Sequence, residues 1–187
     1  MIFLALVHYP VLNRKGDTIV SAVTNLDIHD IARVTATYGL DGYYIVTPLE
    51  EQQLLVRELA RHWTKGTSPN TDRKKALGLV EIAASIDDVC ASIAQTSGRV
   101  PRVVATSAQM RAPAISWQQL RREIECGAFD KMPLLLLFGT ASGLAHEVFE
   151  SVSATLEPIE PQREYNHLSV RSAVAIAIDR LCGNMNA

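Results

Sequence analysis

The stretch LLLLFGTASGL, from Leu134 to Leu144, decides the fold of this chain. Its first five residues have the length and the continuous apolarity of a strand buried on both faces, which is typical of a parallel sheet covered by helices. The strand runs directly into a loop that contains Gly139 and Gly143. Glycine removes side-chain bulk and frees the backbone, so main-chain N–H and C=O groups can approach a small molecule closely. The stretch therefore predicts a ligand site at the end of a buried strand.

A second segment, YNHLSVRSAVAIAIDRL from Tyr165 to Leu181, predicts a helix that begins beside a loop. Ser169 is a suitable N-cap, because its hydroxyl can accept a hydrogen bond from the first turn, and apolar residues follow it at helical spacing. Ala175 and Ile176 extend the apolar surface to another face of this helix. A helix that is apolar on more than one side is buried by more than its own sheet, and a second subunit is one candidate for that cover.

The length and the composition favour a single domain that spans residues 1–187. Of these residues 48% are hydrophobic, which is enough for one well-packed core, and no shift in composition divides the chain. The net charge of −2 is close to balance. A contact with nucleic acid would therefore need a local basic patch, because the surface as a whole is not basic.

The cysteines and the first residues predict a cytoplasmic protein. Cys90, Cys126 and Cys182 are odd in number, widely separated and without the spacing of metal ligands, which favours a reducing compartment over a disulfide framework or a zinc site. The opening MIFLALVHYPV has no basic start and only a short apolar run, so it predicts a strand rather than a signal peptide or a membrane span. We expect neither a membrane contact nor a metal.

Strand and helix patterns alternate along the chain, which predicts an α/β domain with a mainly parallel sheet and helices on both faces. The predicted strands are Phe3–Val7, Tyr43–Val46, Leu77–Ala83, Arg102–Thr106, Leu134–Phe138 and Ala154–Ile159. The predicted helices are Ile28–Tyr38, Glu50–His62, Ile86–Thr96, Trp117–Cys126, Ala145–Val152 and the segment after Ser169. Ligands of such domains usually bind outside the carboxyl ends of the strands.

The stretch TKGTSPNTDRKK, from Thr64 to Lys75, predicts a polar surface loop within the most basic region of the chain. Basic side chains and one tryptophan lie just before it or at its end: Arg57, Arg61, His62, Trp63, Arg73, Lys74 and Lys75. Such a region can bind phosphates. Short basic clusters are also common on solvated loops and helix ends, so both interpretations stay open.

The two C-terminal segments resemble motifs of the SPOUT superfamily of RNA methyltransferases, and more closely a small bacterial subgroup of predicted RNA methyltransferases within it. LLLLFGTASGL is similar to the superfamily's second motif, and LEPIEPQREYNHLSVRSA, which contains the helix start LSVRSA, is similar to the third. The segment TNLDIHDIARVTATYGLDGYYIVTP, from Thr24 to Pro48, resembles the first motif. The resemblance implies an S-adenosylmethionine-dependent methyltransferase acting on tRNA or rRNA. It also implies a deep C-terminal trefoil knot and a homodimer formed through the knot region.

By this resemblance, S-adenosylmethionine would lie bent against three loops, at Thr106–Ala108, Phe138–Leu144 and Ile159–Val170. Apolar side chains would cover the faces of the adenine, while backbone groups would bind its edge. The implied cofactor residues are Thr106, Ser107, Ala108, Leu137, Phe138, Gly139, Thr140, Gly143, Leu144, Ile159, Tyr165, Asn166, His167, Leu168, Ser169 and Val170. For each side chain the alternative is ordinary packing, and for the two glycines it is a tight turn.

Methyl transfer from a sulfonium is an in-line displacement, which needs alignment and the removal of a proton from the acceptor. Arg33, Asp30 and Arg171 are the candidate catalytic residues. Arg33 would bind a phosphate or stabilise negative charge, and Asp30 would act as the base or orient Arg33. Alternatively, Asp30 and Arg33 form a surface ion pair on one helix, and Arg171 is solvated.

Weaker candidates lie beside these residues. Asn25 and Asp27 are polar but have a simpler interpretation as helix caps, and His29 is weaker still. His167 has a pKa range suited to proton transfer, or it belongs to a hydrogen-bonded structural loop. The chain also departs from many relatives at Ala141 and Ser142, where they have a glutamate, so no carboxylate from that loop can contact the cofactor or the substrate.

Two other functions stay open. The first is a non-catalytic module with the same fold that binds RNA or senses S-adenosylmethionine. The second is a nucleotide-binding oxidoreductase, which is disfavoured because no Gly-x-Gly-x-x-Gly follows the first strand, FLALVHYP.

Overall fold

The computed structural model of the protein describes residues 1–65, 71–160 and 165–184. The strands are β1 (Ile2–Val7), β2 (Val11–Leu12), β3 (Thr18–Ile19), β4 (Gly42–Val46), β5 (Val80–Ala83), β6 (Arg102–Thr106), β7 (Ala114–Ile115), β8 (Leu134–Gly139) and β9 (Ala154–Leu156). The helices are α1 (Asn25–Thr37), α2 (Glu50–Lys65), α3 (Thr71–Leu77), α4 (Ile86–Ser97), α5 (Trp117–Glu125), α6 (His146–Ser151) and α7 (Val170–Cys182).

Seven strands form one sheet in the order β5-β4-β1-β8-β6-β9-β7, and each recorded pair of neighbours in it is parallel. β8 lies at the centre and pairs with β1 on one side and β6 on the other. Its residues Leu134–Phe138 are buried, as expected of a strand covered on both faces. The prediction of a mainly parallel α/β sheet is confirmed.

The two faces of the sheet carry two separate apolar clusters. Leu4, Leu6, Leu134 and Leu136 point to one side, where α1, α3, α5 and α7 pack. The alternate residues of the same strands point to the other side, where α4 and α6 pack. This alternation follows from the two-residue period of a strand. Helices therefore cover both faces, as predicted.

Serine and threonine side chains begin several of the helices. Thr24, Ser85, Ser116 and Ser169 each accept a hydrogen bond from the N–H three residues later, which satisfies a donor that the helix itself leaves unpaired. The prediction that Ser169 caps the last helix is confirmed. Among the described residues, no helix combines the length and the apolarity needed to cross a bilayer.

The structure corrects the prediction for the basic region. The predicted surface loop from Thr64 to Lys75 is wrong at both ends, because Thr64 and Lys65 complete α2 and residues 71–75 belong to α3. Gly66 and Pro69 lie outside the described residues. Leu77, predicted to start a strand, instead ends α3 and is buried. The sequence alone does not distinguish an apolar residue that ends a helix from one that begins the next strand, because both adjoin the same apolar run.

The other differences concern short strands. β2, β3 and β7 were not predicted, because two-residue strands show no periodicity. The predicted strand Ala154–Ile159 ends at Leu156. β2 and β3 form an antiparallel hairpin outside the main sheet.

Truncating the centre of β8 should strongly destabilise the protein. Leu136 is 0% exposed, so we expect Leu136→Ala to lower the free energy of unfolding by about 2–5 kcal/mol, since it leaves a cavity. Leu54→Ala is the matched control, because Leu54 is 56% exposed and should cost less than about 1 kcal/mol. Urea unfolding measures both. Equal losses in the two variants would contradict the central position of β8.

Candidate active site

A cleft of about 1340 Å³ opens at the carboxyl ends of the strands. Its walls come from the loops after β6, β8 and β9, from the start of α7 and from the β2–β3 hairpin. The cofactor residues expected from the sequence that line it are Thr106, Ser107, Ala108, Phe138, Gly139, Thr140, Gly143, Leu144, Ile159, Tyr165, Asn166, His167, Leu168, Ser169 and Val170. Three loops that are far apart in sequence thus meet at one cleft.

The prediction for Leu137 needs correction. Its side chain is 0% exposed and packs in the apolar cluster beneath α4 and α6, so it does not line the cleft. Alternation along β8 explains the difference, because neighbouring residues of a strand face opposite sides. Its carbonyl oxygen accepts a hydrogen bond from Thr106 Oγ1 at 2.9 Å and so links β8 to the end of β6.

The glycine loop after β8 packs tightly against itself. A Cβ atom on Gly139 would lie 2.6 Å from the backbone nitrogen of Leu144, which is closer than real Cβ atoms approach. Gly143 has φ +105°, and a Cβ there would meet nothing within 4 Å. Ala141 has φ +52°, an uncommon value for a residue with a side chain. The first glycine thus permits a close backbone contact, and the second permits the turn.

Backbone hydrogen bonds join this loop to the chain between β1 and β2. Thr140 N–H donates to Val7 at 3.1 Å, and Ser142 N–H donates to Leu12 at 2.9 Å. Leu12 N–H donates in return to Gly143 at 2.9 Å. Because these groups satisfy one another, the loop is held as a fixed part of the cleft.

A chain of side-chain hydrogen bonds continues from the loop to a buried histidine. Thr140 Oγ1 donates to the Val7 carbonyl at 3.0 Å, so its contact of 2.5 Å with Ser21 Oγ is one that it accepts. Ser21 Oγ then accepts from Nδ1 of His8 at 2.9 Å. This order assigns the proton of neutral His8 to Nδ1. These hydrogen bonds hold the segment after β3, the end of β1 and the glycine loop in fixed relative positions.

His8 is held in its neutral form. It is 0% exposed, and its Nε2 has no hydrogen-bond partner. Burial lowers the pKa of His8 from 6.5 to about 4, although the nearby carboxylate of Asp27 opposes the shift. The sequence analysis missed His8 and Ser21. The one available signal was a polar residue placed directly after a buried strand.

The start of α1 is bound to the start of α7. Asp27 is 6% exposed and accepts from Thr24 Oγ1 at 2.5 Å and from Arg171 Nη1 at 3.2 Å. Arg171 Nε also lies 3.5 Å from Asp30 Oδ2. Arg171 is thus paired, and Asp30 pairs with it across two helices. Arg171 is therefore not simply solvated, and the partner of Asp30 is Arg171 rather than Arg33.

The interpretation of Asn25 as a cap is wrong, because Thr24 caps α1 and Asn25 is its first helical residue. Asp27 contributes to the cap through two contacts with Thr24. Its carboxylate accepts a hydrogen bond from the Thr24 hydroxyl, and its backbone N–H donates to Thr24 Oγ1 at 3.3 Å. Its second role, the contact with Arg171, could not be read from the sequence because the two residues are 144 positions apart.

A second concavity of about 480 Å³ lies beside the cleft, between α1 and α7. Arg33, Asp30 and Arg171, the predicted catalytic residues, all line it. Arg171 also lines the large cleft and therefore stands at the boundary between the two. Within residues 1–65, 71–160 and 165–184, the exposed guanidinium of Arg33 makes no recorded hydrogen bond or ion pair. It is available to an anionic group.

The far side of the cleft carries a further arginine that the sequence analysis missed. The Arg111 guanidinium lies 4.3 Å from the ring centroid of Phe149, and its Nη1 is 3.4 Å from His146 Nδ1. Its Nε is buried without a partner. Arg14, at the turn of the β2–β3 hairpin, lines the same cleft. Arg111 and Arg14 thus add two cations to a lining that also contains the carboxylates of Asp27 and Glu157.

The loop before α7 is closed by its own polar groups. Asn166 Nδ2 donates to the Ile159 carbonyl at 3.1 Å, and the rings of Tyr165 and His167 lie 5.4 Å apart in an edge-on contact. Tyr165 is 76% exposed and Leu168 is 47% exposed at the rim of the cleft. Among the described residues, no group of His, Cys, Asp or Glu side chains is arranged to hold a metal ion.

A model of the family described as "SAM-dependent RNA methyltransferase" matches residues 1–183. The chain belongs to this family. Solved structures of similar fold include the SpoU methyltransferase AviRb from Streptomyces viridochromogenes in complex with AdoMet. That likeness has a TM-score of 0.54 at 12% identity and covers 96% of this chain and 56% of AviRb. TrmJ from Z. mobilis ZM4 has a TM-score of 0.63 at 16% identity, with 100% and 70% covered. These likenesses show a shared fold, and the predicted membership of a family of S-adenosylmethionine-dependent RNA methyltransferases is confirmed.

Three relatives align with almost the whole length of this chain. A protein from Oleidesulfovibrio alaskensis named tRNA (guanine-N(1)-)-methyltransferase is 45% identical over 98% of this chain, but the match covers only 42% of that protein. A protein of the same name from Nitratidesulfovibrio vulgaris is 46% identical, again over 42% of its length. An uncharacterized protein from Aquifex aeolicus is 36% identical, with 96% of this chain and 87% of the relative covered. The chain thus spans less than half of the two relatives that carry a functional name.

The burial of His8 predicts a specific loss of stability in acid. Its pKa is about 4 in the folded state against the ordinary histidine value of 6.5, so the unfolded chain takes up a proton first as the pH falls. Stability is therefore complete above about pH 6.5 and is lost progressively toward pH 4. At about 1.4 kcal/mol for each pKa unit, this histidine accounts for a loss on the order of 3 kcal/mol.

The variant His8→Asn removes this titration and retains a side-chain N–H that can donate to Ser21. Urea unfolding at pH 7 and at pH 4 measures the loss of unfolding free energy in both proteins. We expect the loss to be smaller in the variant by roughly 3 kcal/mol, because the carboxylates contribute equally to both. The same loss in both proteins would show that His8 is not buried in its neutral form.

Proposed function

We propose that this chain transfers a methyl group from S-adenosylmethionine to RNA by in-line displacement. The observation that carries the proposal is the meeting of three loops, after β6, β8 and β9, around one cleft that adjoins Arg33 and Asp30. Membership of a family described by this cofactor and this reaction supports it. The fold also agrees with that of AviRb, whose structure is described in complex with AdoMet.

The lining of the cleft fits a nucleoside cofactor. Phe138, Leu144, Ile159, Leu168 and Val170 offer apolar contact to the faces of an adenine. A bound ligand would cover Tyr165 and Leu168, whose side chains are otherwise exposed. A Cβ on Gly143 would meet open space, so the backbone of the loop is accessible from the cleft there. When bound, the cofactor supplies an electrophilic methyl group.

The residues beside the cleft fit the acceptor side of the reaction. The Arg33 guanidinium is exposed and can bind an RNA phosphate or stabilise a developing oxyanion. The carboxylate of Asp30 lies near Arg171 Nε, and it would accept the proton of the acceptor or orient Arg33. Arg171 joins the two sides, because it lines both concavities and is fixed by the buried Asp27.

We infer tRNA as the first RNA to test. Two relatives carry a name for methylation of guanine in tRNA. The match covers only 42% of each of them, so the guanine-N1 activity in their name is not carried over to this chain. The position of the methyl group is left to nucleoside analysis of the product.

We further propose a homodimer and a C-terminal knot, which the resemblance to SPOUT methyltransferases implies, and a single cytoplasmic domain, which the composition and the cysteines favour. Ala175 and Ile176 are only half-buried on α7, which leaves apolar surface for a second copy. α7 packs against α1 and α5, while its first turn lines the same cleft as the loop after β8. The nearness of α7 to the loop after β8 supports the proposed knot.

Adding one methyl group at Gly139 should weaken cofactor binding. We expect Gly139→Ala to reduce the affinity for S-adenosylmethionine and S-adenosylhomocysteine at least tenfold, because the new Cβ would collide with Leu144 and displace the loop. Gly98→Ala is the control, because Gly98 lies outside the cleft and a Cβ there would meet nothing within 4 Å, so the change should leave the cofactor affinity unaltered. Calorimetry measures both variants, with a dinucleotide as a negative ligand. Failure of the unaltered protein to bind either adenosyl ligand would refute the proposed function.

Removing the unpaired guanidinium should affect transfer more than cofactor binding. We expect Arg33→Ala to lower methyl transfer to RNA at least a hundredfold, which corresponds to about 2.7 kcal/mol, with little change in S-adenosylmethionine affinity. Arg99→Ala, an exposed arginine away from the cleft, is the control. The assay uses labelled cofactor and RNA from a strain that lacks the gene. Transfer that survives the change would remove Arg33 from the mechanism.

The same assay decides the alternative function. An unaltered protein that binds S-adenosylmethionine and RNA but transfers no label would be a non-catalytic module with this fold. Label in RNA, followed by nucleoside analysis, would establish the enzyme and identify the modified nucleotide.

A further inference from the structure

The end of α2 and the adjoining α3 concentrate positive charge on an otherwise acidic molecule. Six positive and two negative side chains lie within residues 57–65 and 71–75, a net charge of +4, whereas the whole chain carries −2. The remainder of the chain is therefore at −6. We call this region the Trp63 patch; it comprises His29, Arg57, Arg61, His62, Trp63, Lys65, Arg73, Lys74 and Lys75.

The centre of the Trp63 patch is ordered by contacts between rings and cations. The Arg73 guanidinium carbon lies 4.5 Å from the centroid of the Trp63 ring. The rings of His29 and His62 contact the same indole edge-on, with centroids 5.5 and 5.4 Å away. A guanidinium placed on an aromatic face loses little freedom when it binds a phosphate, because its planar fork is already oriented. This arrangement differs from a set of independent, solvated lysines.

Further cations extend from this centre along exposed surface. Arg57, Arg61 and Lys65 follow one another at intervals of four residues, so they form a stripe on one face of α2. Arg61 pairs with Glu58 at 2.5 Å, but both side chains are more than half exposed, so the pair is weak. Lys74 and Lys75 are exposed on α3. The stripe and the α3 lysines continue the positive surface on two helices.

The Trp63 patch adjoins the proposed acceptor site through α1. His29 contacts Trp63, and the next residue along the helix, Asp30, lines the concavity with Arg33. The pKa of His29 is lowered by burial and then by the charge of Arg73, while Asp30 opposes the shift and Arg33 adds to it. His29 therefore lies between the Trp63 patch and the concavity that contains Asp30 and Arg33.

We propose that the Trp63 patch is the surface that binds the RNA backbone and directs the acceptor nucleotide toward Arg33. This inference rests on the proposed function, because it names where the substrate of that site docks. Lys and Arg side chains supply the phosphate contacts that dominate affinity for nucleic acid, and the stacked Arg73 and exposed His62 suit unpaired nucleotides. An acidic protein partner is the other occupant of such a surface, and it fits less well because the acceptor site itself requires RNA nearby.

The decisive variant carries Arg57→Gln, Lys74→Gln and Lys75→Gln, which removes three exposed charges without touching the residues around Trp63. A matched control carries Arg99→Gln, Arg122→Gln and Lys131→Gln, which removes the same charge from positions elsewhere. Fluorescence anisotropy with unfractionated tRNA, measured over a series of salt concentrations, gives the affinity and its salt dependence. Poly-glutamate serves as the probe for an acidic protein.

We expect the patch variant to lose at least tenfold in RNA affinity at low salt. Its slope of log affinity against log salt should become shallower by about 2, because each lost phosphate contact removes about 0.7–0.9 from the slope. The control variant should keep the slope of the unaltered protein. Equal losses in both variants, or a patch that binds poly-glutamate and no RNA, would overturn the inference.

Two further readouts separate this inference from the proposed function. In the patch variant, the affinity for S-adenosylmethionine and the transfer rate at saturating RNA should stay unchanged, while KM for RNA rises at least tenfold. If the unaltered protein binds no S-adenosylmethionine, the proposed function fails even when the RNA affinities differ as predicted. If transfer is intact and KM for RNA is the same in all three proteins, the RNA docks elsewhere.

Discussion

The close approach of Gly139 to Leu144 is the contact on which the cleft depends. β8 is buried at the centre of the sheet, and only a residue without a Cβ lets the chain fold back directly at its end. The returning loop then exchanges backbone hydrogen bonds with the chain from Val7 to Leu12. One missing side chain thus fixes both the carboxyl edge of the sheet and the floor of the cleft.

A second constraint joins the two helices that flank this floor. Arg171 at the start of α7 reaches the buried carboxylate of Asp27 at the start of α1. Asp27 is buried and would otherwise be an unpaired charge, so the contact with Arg171 offsets part of the cost of removing this carboxylate from water. It places Arg171 between the large cleft and the concavity that contains Asp30 and Arg33. The proposed donor and acceptor sides therefore meet at one residue, and the Trp63 patch extends the acceptor side across the surface.

Local sequence patterns predicted the features that depend on neighbouring residues. The apolar run of β8, the Ser169 cap and the alternation of strands and helices are of this kind. The hydrogen-bond chain from His8 through Ser21 to Thr140 could not be predicted, because it joins residues 13 and 119 positions apart. β2 and β3 were too short to show a period, and α3 was hidden in a polar segment. Leu137 was misplaced because its neighbour Phe138, and not Leu137, faces the cleft.

The most direct test of the account is a crystal structure of the protein with S-adenosylhomocysteine. We predict that the adenine lies between the glycine loop, Gly139–Leu144, and the apolar side chains of Ile159 and Leu168, with the sulfur directed toward Arg171. A ligand bound at the opposite edge of the sheet, or held only in the concavity between α1 and α7, would contradict it.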